Sequence, residues 1–343
     1  MILRSLSLYR YQIPLDKLLP VGNQRIDQRE GLVLQIDTDT TQQQVEIAPL
    51  SGVDIDGHPL HGFSRETLTE VSQALINLLP DLQGAKIDAL LDAADKTALP
   101  SLAFGLSLIH AKLSGTLPSP RSTPQVVPLI YRRQDEDLAT LQRRVDSLSV
   151  HVHTVKVKVG QTSIEDEIQL IHQILGVRPD LKLRLDANRA FTLQQAIDFC
   201  ACLPLDAIDY IEEPCIHSGD NPQLYKALGI AYALDESLND PGYDFIMQPG
   251  LKALVLKPML IGHLNRLQTL IEQANADGVK SVISSSLEAS LGIAALAAIS
   301  AECTPNEIPG LDTLNAFSCD LLVSTGKPQC LTVEQLTLLK QLG

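Results

Sequence analysis

Two hydrophobic rhythms divide the chain. Near the start, apolar and polar residues alternate in Ile2-Leu-Arg-Ser-Leu-Ser-Leu-Tyr9, Leu32-Val-Leu-Gln-Ile36 and Gln44-Val-Glu-Ile-Ala48, and a period of two predicts a small antiparallel meander. Between the first two runs, Leu15 to Glu30 is polar and holds Pro20 and Gly22, so it reads as a long exposed loop. Its Arg25 and Arg29 would be solvated or would reach for carboxylates. Gly52 to Gly62 reads as a second irregular loop. Ser64 is then expected to cap a helix with Glu66 and Thr67 in its first turn and Leu68, Val71, Leu75 and Leu78 on its apolar side. Two more helices follow, the second over roughly Pro100 to Leu113.

A Ser/Pro/Gly-rich linker, Ser114 to Pro124, precedes a change of grammar. Short apolar runs near 126–131, 154–159, 181–186, 208–212, 230–235, 252–257, 280–284 and 307–311 alternate with helical periods such as Ser163 to Leu175 and Leu264 to Ala276. Strand, helix, strand at this spacing forces parallel strands with right-handed crossovers, and seven or eight such units close into a TIM-like (β/α) barrel. A doubly wound open sheet fits less well, because no Gly-rich phosphate fingerprint follows the first strand. The expected organisation is an α+β domain over residues 1–122, a barrel over 123–314, and a final segment, 315–343, returning to the N-terminal part.

The chain has 343 residues and a formal charge of −14, which argues against nucleic acid or an anionic membrane surface as partner. No apolar run approaches the roughly 18 to 20 residues of a membrane helix, so a cytoplasmic protein is expected. The six cysteines are scattered without a paired framework and are expected to be reduced. Cys200 and Cys202 would splay apart on a helix, and the pairs His58/His61 and His151/His153 suit the surface.

Chemistry concentrates at the ends of the barrel runs. Lys158, Asp186, Glu212, Asp235 and Lys257 each close an apolar run, and in a parallel barrel all strand C-termini meet at one mouth. Three carboxylates on consecutive strands repel one another unless a hard divalent cation neutralises them, and Mg2+ is the default choice. Lys156 and Lys158 are two apart, so they leave the same face of a strand whose other face carries Val155, Val157 and Val159. A lysine base beside a divalent metal suits removal of a proton alpha to a carboxylate.

These residues resemble the enolase superfamily: Lys156-Val-Lys158, Asp186-Ala-Asn188, Glu212-Glu-Pro214, Asp235-Glu-Ser237 and Lys257-Pro258. Ile283-Ser-Ser-Ser-Leu-Glu-Ala-Ser-Leu-Gly292 and Ile308-Pro-Gly-Leu-Asp-Thr313 resemble, within it, the o-succinylbenzoate synthase family of the menaquinone pathway. The resemblance implies a barrel of enolase type with an α+β capping domain. It implies magnesium on Asp186, Glu212 and Asp235, Lys158 as the base, and Lys257 as the cation that stabilises the enediolate. The reaction would be a syn dehydration of 2-succinyl-6-hydroxy-2,4-cyclohexadiene-1-carboxylate. Lys156, Arg184, Asn188, Ser284, Ser285 and Gly310 would lie around this small carboxylate substrate, with the serines ahead of a helix N-terminus that favours an anion. The family's Glu-Ile-Ser-Pro-Leu phrase reads Val45-Glu-Ile-Ala-Pro-Leu50 here, and the Gly52 to Gly62 loop is long.

Two rivals accompany this reading. One is an N-succinylamino acid racemase or dipeptide epimerase on the same scaffold; the other is a non-catalytic barrel that binds an acidic metabolite. The second usually lacks a ligand or a lysine, and none is missing here. The sequence leaves the oligomeric state open, a monomer included.

Overall fold

The computed structural model describes residues 1–22, 24–60, 63–117, 125–132 and 136–343. Its elements run β1 (Leu3–Val21), β2 (Gln24–Thr38), β3 (Gln42–Ile47), α1 (Leu68–Leu82), α2 (Ala89–Lys96) and α3 (Pro100–Ser114). They continue with β4 (Leu129–Ile130), α4 (Leu138–Asp146), β5 (Thr154–Lys158), α5 (Ile164–Val177), β6 (Lys182–Asp186), α6 (Leu193–Ala201), β7 (Ile208–Glu212), α7 (Asn221–Leu228) and β8 (Tyr232–Leu234). The remainder is β9 (Leu251–Leu256), α8 (Pro258–Ile261), α9 (Leu264–Ala276), β10 (Lys280–Ile283), α10 (Ser290–Cys303), β11 (Asp320–Leu321), β12 (Cys330–Leu331) and β13 (Thr337–Leu342). The chain divides into two compact units, Met1–Pro124 with Leu256–Ile271 and Ile283–Gly343, and Gln125–Val255 with Glu272–Val282.

In the first unit the expected meander is larger than its alternation suggested. The stretch from Leu15 to Glu30, expected as a loop, belongs instead to the long hairpin of β1 and β2. Pairing runs from Leu3↔Thr38 to Pro14↔Gln28, skips the segment between Pro14 and Leu19, and resumes to Val21↔Gln24, with Gly22 in the left-handed region at φ 57°. That skipped segment hides the period of two from a reading of the sequence. β13 pairs antiparallel with β1 and completes the order β13-β1-β2-β3.

Helix α1 starts three residues later than expected. Thr67 forms a reciprocal capping box with Glu70, whereas Ser64 Oγ accepts from Leu50 N at 2.7 Å. The helix buries Val71, Leu75, Leu79 and Leu82, each contributing roughly 1.5–3 kcal/mol of hydrophobic stabilisation before entropy is counted. Helix α3 is buried on most sides and ends at Gly115 in the left-handed conformation, φ 74°. The linker that follows lies partly outside the described residues, at 118–124.

The second unit carries most of the seven-stranded sheet. Among the described residues a seven-stranded sheet has the order β10-β9-β8-β7-β6-β5-β4, and β4 to β9 pair parallel. Ser163 caps α5 by accepting from Asp166 N, and Thr192 forms a capping box with Gln195 on α6, so the crossovers begin where short polar residues satisfy the free N–H groups. The first barrel run is only two residues of strand. The eighth, expected near 307–311, is a single parallel bridge, Ser284↔Gly310. Pro309 and Gly310 supply too little backbone donor and side chain for a longer ladder.

Candidate active site

Parallel register decides which side chains meet. Lys158 on β5 is opposite Asp186 on β6, Asp186 is opposite Glu212 on β7, and Glu212 is opposite Ala233 on β8, two residues before Asp235. The period of two then builds a lower layer on the same face: Lys156, Arg184, Tyr210 and Ala233 lie beneath Lys158, Asp186, Glu212 and Asp235. Asp186, Glu212 and Asp235 are all buried.

Lys156 reaches up from the lower layer, with Nζ 2.9 Å from Asp186 Oδ2 and 2.5 Å from Glu212 Oε2. Burial disfavours its charged form, but Asp186, Glu212 and Asp235 outweigh that and hold the ammonium well above the usual lysine range. Burial also pushes the Glu212 carboxyl up to about 7; Lys156 pulls it down, and Asp186 and Asp235 push it up again. Lys156 is raised because the carboxylates outnumber the ammonium, whereas Glu212 is raised first by burial and then by its two carboxylate neighbours. Buried, hard oxygen donors with surplus negative charge fit a divalent cation of the magnesium type.

Lys158 Nζ donates to Asn188 Oδ1 at 2.7 Å and lies 3.4 Å from Asp186 Oδ2. Asn188 in turn donates from Nδ2 to Glu236 Oε1 at 2.8 Å, and its N–H reaches Asp186 Oδ1 at 3.2 Å. Asn188 and Arg189 have φ of 43° and 59°, a region that asparagine tolerates better than most residues. Glu236 has no role that the sequence alone predicts; its position next to Asp235 is the only local signal for it. Glu213 (φ 35°) turns away and accepts from Ser237 N at 2.9 Å and Asp235 N at 3.3 Å, which leaves Glu212 as the carboxylate beside Asp186. Arg184 stays in the lower layer, stacked over Tyr210 at 5.2 Å with Nε 3.2 Å from Asp209 Oδ2.

The remaining candidates belong to the first unit. Lys257 follows β9, is buried, and holds Nζ 5.4 Å from the centre of the Phe63 ring. Ser284 and Ser285 follow β10: Ser284 Oγ donates to Gly310 O at 3.2 Å, Ser285 N donates to the same carbonyl at 3.1 Å, and Ser285 Oγ is 3.2 Å from Thr313 Oγ1. A Cβ at Gly310 would stand 3.0 Å from Ser284 Oγ, a tight contact that the serine would have to relieve. The helix N-terminus after the serines, expected to favour a substrate anion, is already met by a protein carboxylate. Glu46 accepts from Ala289 N at 2.9 Å and Gly292 N at 2.8 Å. Arg29 is buried as well, bonded to backbone carbonyls, so neither alternative first assigned to it holds.

On the exposed loop before Pro59, Asp54, Asp56 and His58 bring ligand atoms within 4.8 Å of one another, an arrangement common on surfaces without any ion. His61 lies outside the described residues. All six cysteines are unpaired, and among the described residues no helix is long and apolar enough to cross a membrane.

Comparison with known proteins matches both parts of the chain. Residues 137–330 fit the model described as "Enolase C-terminal domain-like", and residues 3–113 fit "MenC, N-terminal domain". A dipeptide epimerase from Enterococcus faecalis V583, solved with Mg and a dipeptide, superposes with TM-score 0.73 at 18% identity over 92% of this chain and 97% of its own, a likeness of fold. The architecture is therefore a (β/α) barrel of enolase type with an α+β N-terminal domain, the class of the enolase superfamily.

The sequence relatives narrow the class. The o-succinylbenzoate synthase of Enterobacter sp. (strain 638) is 37% identical over 93% of this chain and 94% of its own length, and that of Haemophilus influenzae is 36% identical over 93% and 92%. The o-succinylbenzoate synthase of Thermosynechococcus elongatus BP-1, solved with Mg in its active site, aligns with TM-score 0.68 and 25% identity over 89% of this chain and 92% of that one. The chain belongs to the o-succinylbenzoate synthase family and is a lyase.

Proposed function

We propose that the protein dehydrates 2-succinyl-6-hydroxy-2,4-cyclohexadiene-1-carboxylate to 2-succinylbenzoate, with Lys158 as acid and base. The observation that carries this assignment is the tethered lysine nitrogen: Lys158 Nζ is bonded to Asn188 Oδ1 at 2.7 Å at the tip of β5. A neutral amine that spends one N–H on Asn188 keeps its lone pair for a substrate C–H. Nζ takes the proton alpha to the carboxylate, and the C–H electron pair moves into the carboxylate as an enediolate. When that pair returns to form the ring double bond, the C–O bond breaks and the Lys158 ammonium gives its proton to the departing hydroxide as water. Lys158 ends as it began, and the ring becomes aromatic.

Magnesium, held by Asp186, Glu212 and Asp235, would supply positive charge for the substrate carboxylate. Lys257 is assigned the second cation, its charge steadied by the Phe63 ring. Asn188, through Glu236, fixes the direction of Lys158. Unpaired cysteines suit work in the cytoplasm.

Lys158→Ala is expected to lower kcat by about 10²–10⁴-fold, the usual contribution of a positioned acid–base group, while leaving magnesium affinity near the parent value. The assay follows aromatic product in the presence of magnesium. Full activity in the variant would remove Lys158 from this role. Racemisation of N-succinyl amino acids without any dehydration would replace the reaction itself.

A further inference from the structure

Segment 284–292 is tied down from strands β2 and β3 in a way that no catalytic role explains. The Arg29 guanidinium spans two stretches of backbone: Nη2 donates to Ala48 O at 2.5 Å, Nη1 to Pro49 O at 3.1 Å and Nε to Leu287 O at 2.9 Å, with Nη2 also 3.5 Å from Ser286 O. One arginine thus joins the end of β3 to the loop after β10. Glu46, on β3 itself, holds the next residues by accepting from Ala289 N and Gly292 N, and Tyr11 Oη donates to it at 2.5 Å. Between these anchors Ser286 is closed on Glu288 through its N–H and its hydroxyl, both at 2.7 Å, and Leu287 takes a φ of 65°. Leucine seldom adopts that backbone, so bonds around it must hold it there.

Two glycines make the arrangement specific. A Cβ at Gly292 would stand 2.9 Å from Glu46 Oε2 and 2.6 Å from Glu288 Cβ, and a Cβ at Gly31 would stand 2.6 Å from the Tyr11 ring. A side chain at Gly31 would displace Tyr11, and one at Gly292 would displace Glu288 first and Glu46 with it.

We infer that Arg29 and Glu46 are positioning residues that set the backbone of Ser284 and Ser285, and so the affinity for the substrate's carboxylate-bearing side chain. The inference rests on the proposed dehydration and on the family resemblance, which implies that these serines lie beside the substrate. The bonds of Arg29 and Glu46 given above run to the stretch that follows Ser284 and Ser285, so the clamp acts on KM and leaves proton transfer alone. A residue that merely stabilised the fold would lower the melting temperature and move neither constant in the surviving protein.

The test compares Arg29→Lys, Arg29→Met, Glu46→Gln and Gly292→Ala with Ser285→Ala, measuring kcat, KM and melting temperature for each in saturating magnesium. Arg29→Met, Glu46→Gln and Gly292→Ala are each expected to raise KM about tenfold, as for a displaced contact, with kcat within about twofold. Arg29→Lys, which keeps the charge but loses the fork that spans two backbones, is expected to behave as Arg29→Met. Where a variant fails to fold, the remaining ones and the Arg29→Lys comparison decide. Parent KM in the folded clamp variants, with Ser285→Ala still raising KM, overturns the clamp and spares the substrate site. Parent KM in Ser285→Ala overturns the assignment of the serines, and the clamp's role in affinity falls with it.

Discussion

Glu46 is a carboxylate buried away from water, and its titration should be measurable. Burial, partly offset by the Tyr11 hydroxyl and the Ala289 and Gly292 N–H groups, raises its pKa to about 6 from an ordinary 4.5. Below about pH 4.5 the group is protonated folded and unfolded alike and contributes nothing to the pH dependence. As pH rises the unfolded chain ionises first, so this group's contribution falls by about 2 kcal/mol and levels off above the folded value. Denaturant unfolding of the parent minus that of Glu46→Gln should therefore decrease by about 2 kcal/mol from pH 4 to pH 7. A difference independent of pH would mean that Glu46 ionises as easily folded as unfolded. At this scale the sequence is a poor guide. Arg29 sits among polar neighbours, and nothing local distinguishes a solvated guanidinium from one bonded to the carbonyls of Glu30, Ala48, Pro49 and Leu287.

Elements were legible where one local signal governed them. Thr67-x-x-Glu70 is a capping-box spacing and Ser64-x-x-Thr67 is not, so the true start of α1 is legible in the chain. The β1–β2 hairpin was hidden for a different reason. Its strands continue past the skipped segment after Pro14, and only pairing with a distant partner reveals that the polar residues are the outer face of a ladder. Packing between elements was likewise out of reach. Gly105 of α3 faces β3 so closely that a Cβ would stand 2.4 Å from Ile47 Cδ1. Gly105→Val should therefore destabilise the protein by about 1–3 kcal/mol through overpacking, read as a lower denaturant midpoint with unchanged slope. An unchanged midpoint would show that α3 and β3 separate freely.

For the whole molecule, most of the candidate site could be located from the sequence because a parallel barrel turns strand ends into neighbours. Lys158, Asp186 and Glu212 are far apart in the chain and opposite one another in register. What could not be read was the charge arrangement around them. Lys156 sits against Asp186 and Glu212 and offsets part of their charge, so the fold is expected to survive loss of the metal. Chelation by EDTA should abolish turnover, with recovery on adding magnesium, while far-UV circular dichroism stays unchanged. The loss of stability should be that of a dissociated ligand, about 2.7 kcal/mol for protein previously at a hundred times its Kd. Cooperative unfolding on chelation would show instead that the barrel needs the ion.

The pairing of β13 with β1 carries a consequence for how the chain matures on the ribosome. Leu6 is opposite Leu342, so one edge of the first-made sheet stays open until the last strand has been translated. During that interval every parallel strand emerges and begins to pair, while β1 exposes unsatisfied N–H and C=O groups. A ribosome stalled before Thr337 should hold nascent chains that bind holdase chaperones. Release of the final segment should end that association.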